Sequence, residues 1–249
     1  MEPCLLALDT STETMALALQ TPAGLRLHEE AGGAAASARL VPAAMQLLAD
    51  AGMTLAQLDA IAFGAGPGAF TGLRTACAVA QGLAFGAGKP VLAVDSLLVV
   101  VDDAYAQQPA QAAPPPIDGQ VHWAAVDARM DEVYAAAYRR DARGWSVVHR
   151  PALYTLPALI AAWADAPPQH IAGNALTAFA DRLAPVAAGA ICVPLMQSRA
   201  AALARLAEAA WRRGEAIDAA DALPLYLRDK VALTTAERTA HKAVPEGRR

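Results

Sequence analysis

The sequence places an aspartate and two hydroxyl residues directly after its first apolar run. Asp9, Thr10 and Ser11 follow the apolar residues 4–8. An aspartate can hold a metal ion, and hydroxyl groups or amides can contact phosphate, so this turn has the form of a phosphate-facing hairpin. The alternative is a turn whose side chains bond their own backbone. The residues alone leave both interpretations open.

A glycine-rich stretch occupies residues 64–74 and reads Gly-Ala-Gly-Pro-Gly-Ala-Phe-Thr-Gly-Leu-Arg. It lies between a short and a long apolar run, which is the order strand, turn, helix. Its glycines let another group approach the backbone, and amides at a helix start bind anions. It is either a phosphate or nucleotide cradle or a structural turn. It is not a P-loop, because no Gly-Lys-Ser/Thr follows, and Pro67 interrupts the dinucleotide pattern.

The acidic turn has a weaker counterpart in the second half of the chain. Residues 7–13 align with residues 125–131, since each segment has an apolar run, an aspartate, a short turn and a second acidic residue. The counterpart has no hydroxyl residue after Asp127, and Arg129 can neutralise the aspartate. Because it follows the proline-rich residues 107–119, the repeat favours two similar lobes, with chance similarity as the alternative.

No catalytic residue and no metal site is predicted. The serines at positions 11, 37, 96 and 198 have the setting of turn or cap residues. Asp95 and Ser96 end a predicted strand, but a helix cap is favoured there. The five histidines are scattered, and the cysteines at positions 4, 77 and 192 lie far apart in apolar runs. These cysteines are expected to be reduced thiols of a cytoplasmic protein.

The composition limits the classes of partner. The 249 residues are 55% hydrophobic and carry a net charge of −4, so the chain can form one large domain or two lobes. The acidic balance argues against an autonomous nucleic-acid-binding protein, which usually has a basic face. The first residues do not form a signal peptide, and the apolar residues 73–87 are too few to cross a bilayer. We therefore expect no membrane association.

Hydrophobic patterning predicts an α/β chain that positions these turns. The first half is predicted as strands over 4–8, 15–19, 25–30, 59–63 and 91–94, with helices over 37–51, 73–87 and 97–105. The second half is predicted as strands over 121–127, 133–138, 145–149, 171–172 and 191–193, with helices over 156–163, 175–183 and 198–214. Ser37 is predicted to cap its helix.

Two of these helices have more apolar surface than one core contact requires. The helix after the glycine stretch has no charged residue from Thr75 to Ala87. In the helix over 37–51, Val41 and Met45 widen the main apolar stripe. A surface helix normally shows a clear polar face, so both helices are expected to be covered on a second side. That cover is either more of the same core or a partner protein.

Taken together, the motifs resemble the TsaB (YeaZ) family over about residues 4–230. Four motifs stand in the order seen in that family: Leu-Ala-Leu-Asp-Thr-Ser at 6–11, the glycine stretch at 64–74, Ala-Val-Asp-Ala-Arg at 125–129 and Leu-Tyr-Leu-Arg at 225–228. The glycine turn followed by Phe-Thr-Gly-Leu-Arg is quite specific. It is shared in looser form with TsaD, the catalytic paralogue.

The resemblance implies an actin-like (ASKHA) α/β fold of two lobes, each with a mixed sheet flanked by helices. The expected N-terminal lobe covers residues 1–106, with the helix over 198–214 packing back on it. A linker over 107–119, a C-terminal lobe over 120–230 and a polar tail over 234–249 complete the expected organisation. In TsaD, two histidines that hold a metal follow the next strand, whereas residues 94–99 here read Val-Asp-Ser-Leu-Leu-Val.

The resemblance also implies a non-catalytic subunit in the bacterial synthesis of threonylcarbamoyladenosine at tRNA position 37. Such a subunit pairs with TsaD, supports association of the ATPase TsaE, meets tRNA only through the complex and forms a homodimer when alone. It has no intrinsic cofactor, although a nucleotide can lie at the complex interface. The expected partner surface is Leu40, Val41, Met45, Leu48, Leu73, Ala76, Val79, Ala80 and Leu83. The expected nucleotide-facing residues are Asp9, Thr10, Ser11, Gly66 and Gly68.

Two other functions remain open on the residues. An actin-like small-molecule kinase or ATPase would use Asp9 and Asp127 with the glycine turn. A peptidase is suggested by the older name of the TsaD family, but no metal ligand set or catalytic triad can be assembled for it.

Overall fold

The computed structural model describes residues 2–108, 119–141 and 144–228. Its strands form two five-stranded mixed sheets with helices packed on them, which confirms the α/β two-lobe arrangement expected from the resemblance.

The first sheet has the strand order β3-β2-β1-β4-β5. Its strands are β1 (Leu5–Asp9), β2 (Thr14–Thr21), β3 (Gly24–Ala31), β4 (Ala60–Gly66) and β5 (Val91–Asp95). The first three strands form an antiparallel meander, in which β1 pairs with β2 and β2 with β3. The other strands continue the sheet in parallel, β4 beside β1 and β5 beside β4.

The second sheet repeats this topology. Its strands are β6 (Val121–Asp127), β7 (Glu132–Asp141), β8 (Gly144–Thr155), β9 (His170–Ala172) and β10 (Ile191–Val193). The order β8-β7-β6-β9-β10 has the same antiparallel and parallel pairings as the first sheet. The two aspartate turns therefore stand at equivalent places, after β1 and after β6. The short sequence repeat reflects this duplicated architecture.

Helices cover both faces of the first sheet. The helices are α1 (Ala36–Asp50), α2 (Phe70–Ala87), α3 (Ser96–Ala106), α4 (Leu156–Asp165), α5 (Ala175–Ala178), α6 (Ala180–Ala187) and α7 (Arg199–Arg212). Side chains alternate along the strands, so one face packs on α1 and α2 and the opposite face on α3 and α7. The second sheet packs on α4, α5 and α6.

Helix α3 joins the two lobes. Leu97 and Val101 pack against the second sheet, while Val99 packs against the first. Two carboxylates of this junction, one partly buried and one buried, accept hydrogen bonds across it. Asp95 accepts from the Tyr138 hydroxyl at 2.6 Å, and Asp102 accepts from Trp145 Nε1 at 2.9 Å. Helix α3 thus ties the lobes together, and its residues 96, 97 and 100 also line the cleft between them.

Several predicted boundaries shift. Helix α1 begins before Ser37, with Ala35 at the N-cap and no side-chain cap, so the predicted Ser37 cap is wrong. The single helix predicted over 175–183 is two helices, because Phe179 leaves helical geometry with φ −125° and ψ 32°. Ser198 does cap α7, and its hydroxyl accepts from the amide of Ala201 at 3.1 Å.

The linker predicted over 107–119 lies, apart from residues 107, 108 and 119, outside the described residues, as does the tail predicted over 234–249. Within the described ranges, no helix combines the length and apolar character needed to cross a bilayer.

Candidate functional site

The turn after β1 bonds its own chain. Asp9, Thr10 and Ser11 are all buried. The amide of Ser11 donates to Asp9 Oδ1 at 2.6 Å, and the Thr10 hydroxyl donates to the carbonyl of Gly72 at 2.7 Å. Of the two interpretations drawn from the sequence, these contacts match the self-bonded turn.

A buried arginine of α7 binds two side chains of this turn. Arg199 Nε and Nη2 each lie 2.9 Å from Asp9 Oδ2, and Nη2 also donates to the Ser11 hydroxyl at 2.9 Å. Sequence reasoning missed Arg199. One signal was present, since a cation in the first turn of a helix is unfavourable beside the positive end of the helix dipole. Such a residue therefore needs a carboxylate partner.

The protein itself occupies the space beside the glycines of residues 64–72, which run from the end of β4 to the start of α2. A Cβ on Gly64 would lie 2.3 Å from an Asp9 carboxylate oxygen, and one on Gly72 would lie 1.8 Å from the carbonyl oxygen of Thr10. A Cβ on Gly68 would lie 2.6 Å from the carbonyl oxygen of Ser11. The two sequence-predicted turns therefore pack against each other. Their glycines accommodate this close contact between the two turns.

Gly66 is enclosed as well. Its amide donates to the Ser96 hydroxyl at 3.0 Å, its φ is +111°, and a Cβ there would lie 2.9 Å from the carbonyl oxygen of Leu225. Residue 225 thus covers the side of the Gly66 Cα, and contact of Gly66 with a nucleotide stays a prediction. Asp95 caps α3 by accepting from the amides of Leu97 and Leu98.

A cleft of about 270 Å³ lies between the lobes. Gly68, Ser11 and Arg199 contribute to its first-lobe wall, and Asp127 and Asn174 to its second-lobe wall. Asp9 is fully buried behind Arg199 and does not line it. The paired use of Asp9 and Asp127 required by a kinase is therefore absent from this arrangement, since one carboxylate is already bound by a guanidinium group.

The second aspartate also has local partners. Asp127 Oδ1 accepts from the amide of Arg129 at 2.8 Å, and the Arg129 guanidinium lies 3.6 Å from Oδ2. The Asp127 amide donates to Asn174 Oδ1 at 2.9 Å. Arg129, Met130 and Asp131 all have positive φ, between 58° and 64°. The loop is thus a tight left-handed turn stabilised by Asp127. Arg129 lies close enough to neutralise Asp127, as expected from the sequence.

Two side chains at the junction between the lobes, Asp95 and Tyr138, have shifted pKa values. Burial raises the pKa of Asp95, although its hydrogen bond from Tyr138 acts in the opposite direction. Burial and the nearby carboxylate raise the pKa of Tyr138. Both groups are engaged with each other in the packed interior, so they have the setting of a structural pair. In the part of the chain that the structure describes, no three His, Cys, Asp or Glu side chains are grouped to hold a metal.

The residues of the predicted partner surface divide between the core and the exposed side of α1 and α2. Five of its nine residues are buried in the first lobe because they point at the sheet: Leu40, Leu48, Leu73, Ala76 and Ala80. Val79 and Leu83 are partly buried and pack against the same core. Val41 and Met45 remain exposed, at 39% and 42%.

Helix α2 also has an exposed stripe of residues that the predicted partner surface did not include. Phe85 is 63% exposed, and Ala78, Gly82 and Gly86 are exposed beside it. A Cβ on either glycine would meet nothing within 4 Å. Helix α1, which contacts α2, exposes Val41 and Met45, and we call these two residues and the four of α2 the open face. It lies on the side of the helices turned away from the sheet.

The family model described as "TsaD: tRNA N6-adenosine threonylcarbamoyltransferase" matches residues 24–235. Two curated relatives are each described as "tRNA threonylcarbamoyladenosine biosynthesis protein TsaB". The one from Escherichia coli is 36% identical over 140 residues, which cover 56% of this chain and 57% of that protein. The one from Haemophilus influenzae is 41% identical over 138 residues, which cover 55% and 54%. The matches thus span about half the length of these relatives.

Solved structures match over nearly the whole chain. One from Pseudomonas aeruginosa, described as an uncharacterized protein with similarity to peptidase YEAZ, has a TM-score of 0.77 at 38% identity. That match covers 91% of this chain and 100% of the other. A second structure, YeaZ from Pseudomonas aeruginosa, has a TM-score of 0.75 at 36% identity and covers 90% and 100%.

Proposed function

The chain belongs to the TsaB (YeaZ) family of TsaD paralogues, and from that premise we propose that it is a non-catalytic dimerisation subunit in tRNA threonylcarbamoyladenosine biosynthesis. It pairs with TsaD, supports association of TsaE and meets tRNA only through the complex. The observation that carries the proposal is the open face on α1 and α2. The names of the curated relatives and of the matching family model support the choice of pathway.

The open face has the character of a protein-docking surface. Phe85, Val41 and Met45 supply large apolar side chains, and an aromatic anchor beside smaller residues is typical of the centre of an interface. Ala78, Gly82 and Gly86 have little or no side chain, so a partner helix can approach α2 closely. A bundle of two helices from each subunit fits this surface. In the absence of TsaD, the same face supports a homodimer.

The direct test is complex formation between the purified chain and TsaD. We expect co-elution in size-exclusion chromatography with light scattering, and dimers of the chain alone. TsaE is expected to join only when TsaD is present, and tRNA to bind the complex but not the isolated chain. A chain that stays monomeric and does not bind TsaD would contradict the proposal.

Replacing Gly82 by alanine is expected to stabilise the isolated chain and weaken pairing. Glycine within a helix costs about 0.5–1 kcal/mol relative to alanine, and the added methyl meets open space in the monomer. If a partner helix packs there, the methyl group intrudes, and we expect the Kd for TsaD to rise about tenfold. Thermal unfolding and binding titrations measure the two effects.

The matched control is Gly189→Ala, because that glycine also faces open space but lies on the second lobe. It should leave TsaD affinity unchanged. Unchanged affinity in Gly82→Ala as well would mean that no helix packs closely on α2 at this position.

The isolated chain is expected to bind ATP weakly, with a Kd on the order of 1 mM or more. The physical reason is that Arg199 already pairs with the Asp9 carboxylate, and that the turn at residues 9–11 packs closely against the glycine turn. Isothermal titration of Mg-ATP into the purified chain tests this. Micromolar binding would instead favour the alternative of an actin-like kinase or ATPase. A nucleotide at the interface with TsaD remains part of the proposal, because residues of the partner can contribute there.

A further inference from the structure

Residues 223–228 cross from the first lobe to the second along the cleft, and we call this segment the strap. It follows the short helical turn of residues 219–221 and has no helix or strand of its own. Its first-lobe end is held at the glycine turn, where the amide of Leu225 donates to the carbonyl of Ala65 at 2.7 Å. Residues 225–228 form part of the cleft wall.

The middle of the strap is attached to the start of α2. The Tyr226 ring lies 5.1 Å from the Phe70 ring, and its hydroxyl accepts from Arg74 Nε at 3.1 Å. The Arg74 guanidinium lies 3.8 Å from the centre of the Phe70 ring. A tilted aromatic contact with Phe70 and a hydrogen bond from Arg74 thus hold Tyr226 in place, and Arg74 is itself held over the Phe70 ring.

The far end of the strap grips the second lobe. Arg228 Nη2 donates to the carbonyl of Ala128 at 2.9 Å, reaches that of Arg129 at 3.4 Å and pairs with Glu132. These contacts fall on the left-handed loop after β6, where three successive non-glycine residues have positive φ. Such backbone conformations persist only when surrounding contacts impose them. Arg228 supplies such contacts.

The strap therefore joins the lobes along the cleft, in addition to the buried junction made by α3. A second ion pair, Arg129 with Glu13, also crosses the cleft, but its atoms lie 4.0 Å apart on exposed side chains. A pair of that kind contributes little. We propose that the strap is a lock that holds the cleft in its present width, and that release of either end frees the loop at 128–131. This inference does not depend on the docking function.

Hydrogen exchange of the full chain tests the lock. In Arg228→Ala and in Tyr226→Ala, we expect exchange in a peptide covering residues 126–134 to become about tenfold faster. The amides of Ala128 and Glu132 report it, because each is bonded within the loop. Tyr226 contacts only α2 of the first lobe among the contacts described above. Faster exchange in the second lobe after its removal would therefore show that the strap transmits the change from one lobe to the other.

The matched control is Arg212→Ala, which removes an exposed ion pair with Glu208 on α7 and should leave exchange in residues 126–134 unchanged. Unchanged exchange there in either strap variant overturns the proposal. A uniform increase over both sheets also overturns it, because the strap would then contribute only to general stability.

Discussion

Glutamate at position 41 or 85 is expected to abolish pairing with TsaD while the chain stays folded. Val41 and Phe85 are exposed in the isolated chain, so an added carboxylate remains in water and costs the monomer little. In the proposed complex, a partner would bury that carboxylate without a counter-charge. Such burial costs several kcal/mol, enough to weaken an interface by about a thousandfold or more. Homodimer formation should be lost together with TsaD binding.

The matched control for Val41→Glu is Val147→Glu, which makes the same change at an exposed valine of β8 on the other lobe. It should bind TsaD as the wild type does. Circular dichroism must accompany each binding assay to establish that the variants are folded. If Val41→Glu and Phe85→Glu are folded and still pair with TsaD and with themselves, the docking surface lies elsewhere.

Helix α2 shows what the periodicity of a sequence cannot predict. Helical periodicity in the sequence puts Leu73, Ala76 and Ala80 on one apolar stripe, and Ala78 and Phe85 on another. It could not say which stripe faces the sheet, because both consist of small and apolar residues. The structure places the first stripe in the core and leaves the second open. A charge at Val79, which packs against that core, would test folding as much as binding.

The glycine turn shows the same limit in another form. Its position between a strand and a helix follows from local signals, and the structure has β4 and α2 in that order. What fills the space beside its glycines comes from far along the chain, from the carbonyls of Thr10 and Leu225. No local pattern distinguishes a glycine that admits a ligand from one that admits distant backbone. The cradle and the structural turn were therefore equally compatible with the residues.

The topology of the sheets was easier to predict from the sequence than the contacts of the site. Hydrophobic patterning located the three strands that form the meander, and the repeated aspartate turn pointed to a second, similar lobe. The bond between Asp9 and Arg199 joins residues 190 positions apart, so spacing could not predict it. Only the unfavourable place of a cation at a helix start hinted that Arg199 has an acidic partner.

Replacing Arg199 by alanine is expected to lower the free energy of unfolding by about 3–5 kcal/mol. Both members of its ion pair with Asp9 are buried, and removing one leaves an unpaired carboxylate in the interior. The same substitution also removes the donor to the Ser11 hydroxyl. Urea denaturation of the full chain measures the loss through the transition midpoint, provided that the slope with denaturant is unchanged.

A double-mutant cycle tests whether this loss comes from the pair. Asp9→Asn removes the charge of the carboxylate, so Arg199→Ala should cost much less in the Asp9→Asn background than in the wild type. On the same helix, Arg212→Ala breaks an exposed pair with Glu208 and should cost less than about 0.5 kcal/mol. A loss below about 1 kcal/mol in Arg199→Ala would mean that Asp9 tolerates the absence of its guanidinium. Asp9 would then be available to a ligand, and the nucleotide-binding alternative would regain its acidic residue.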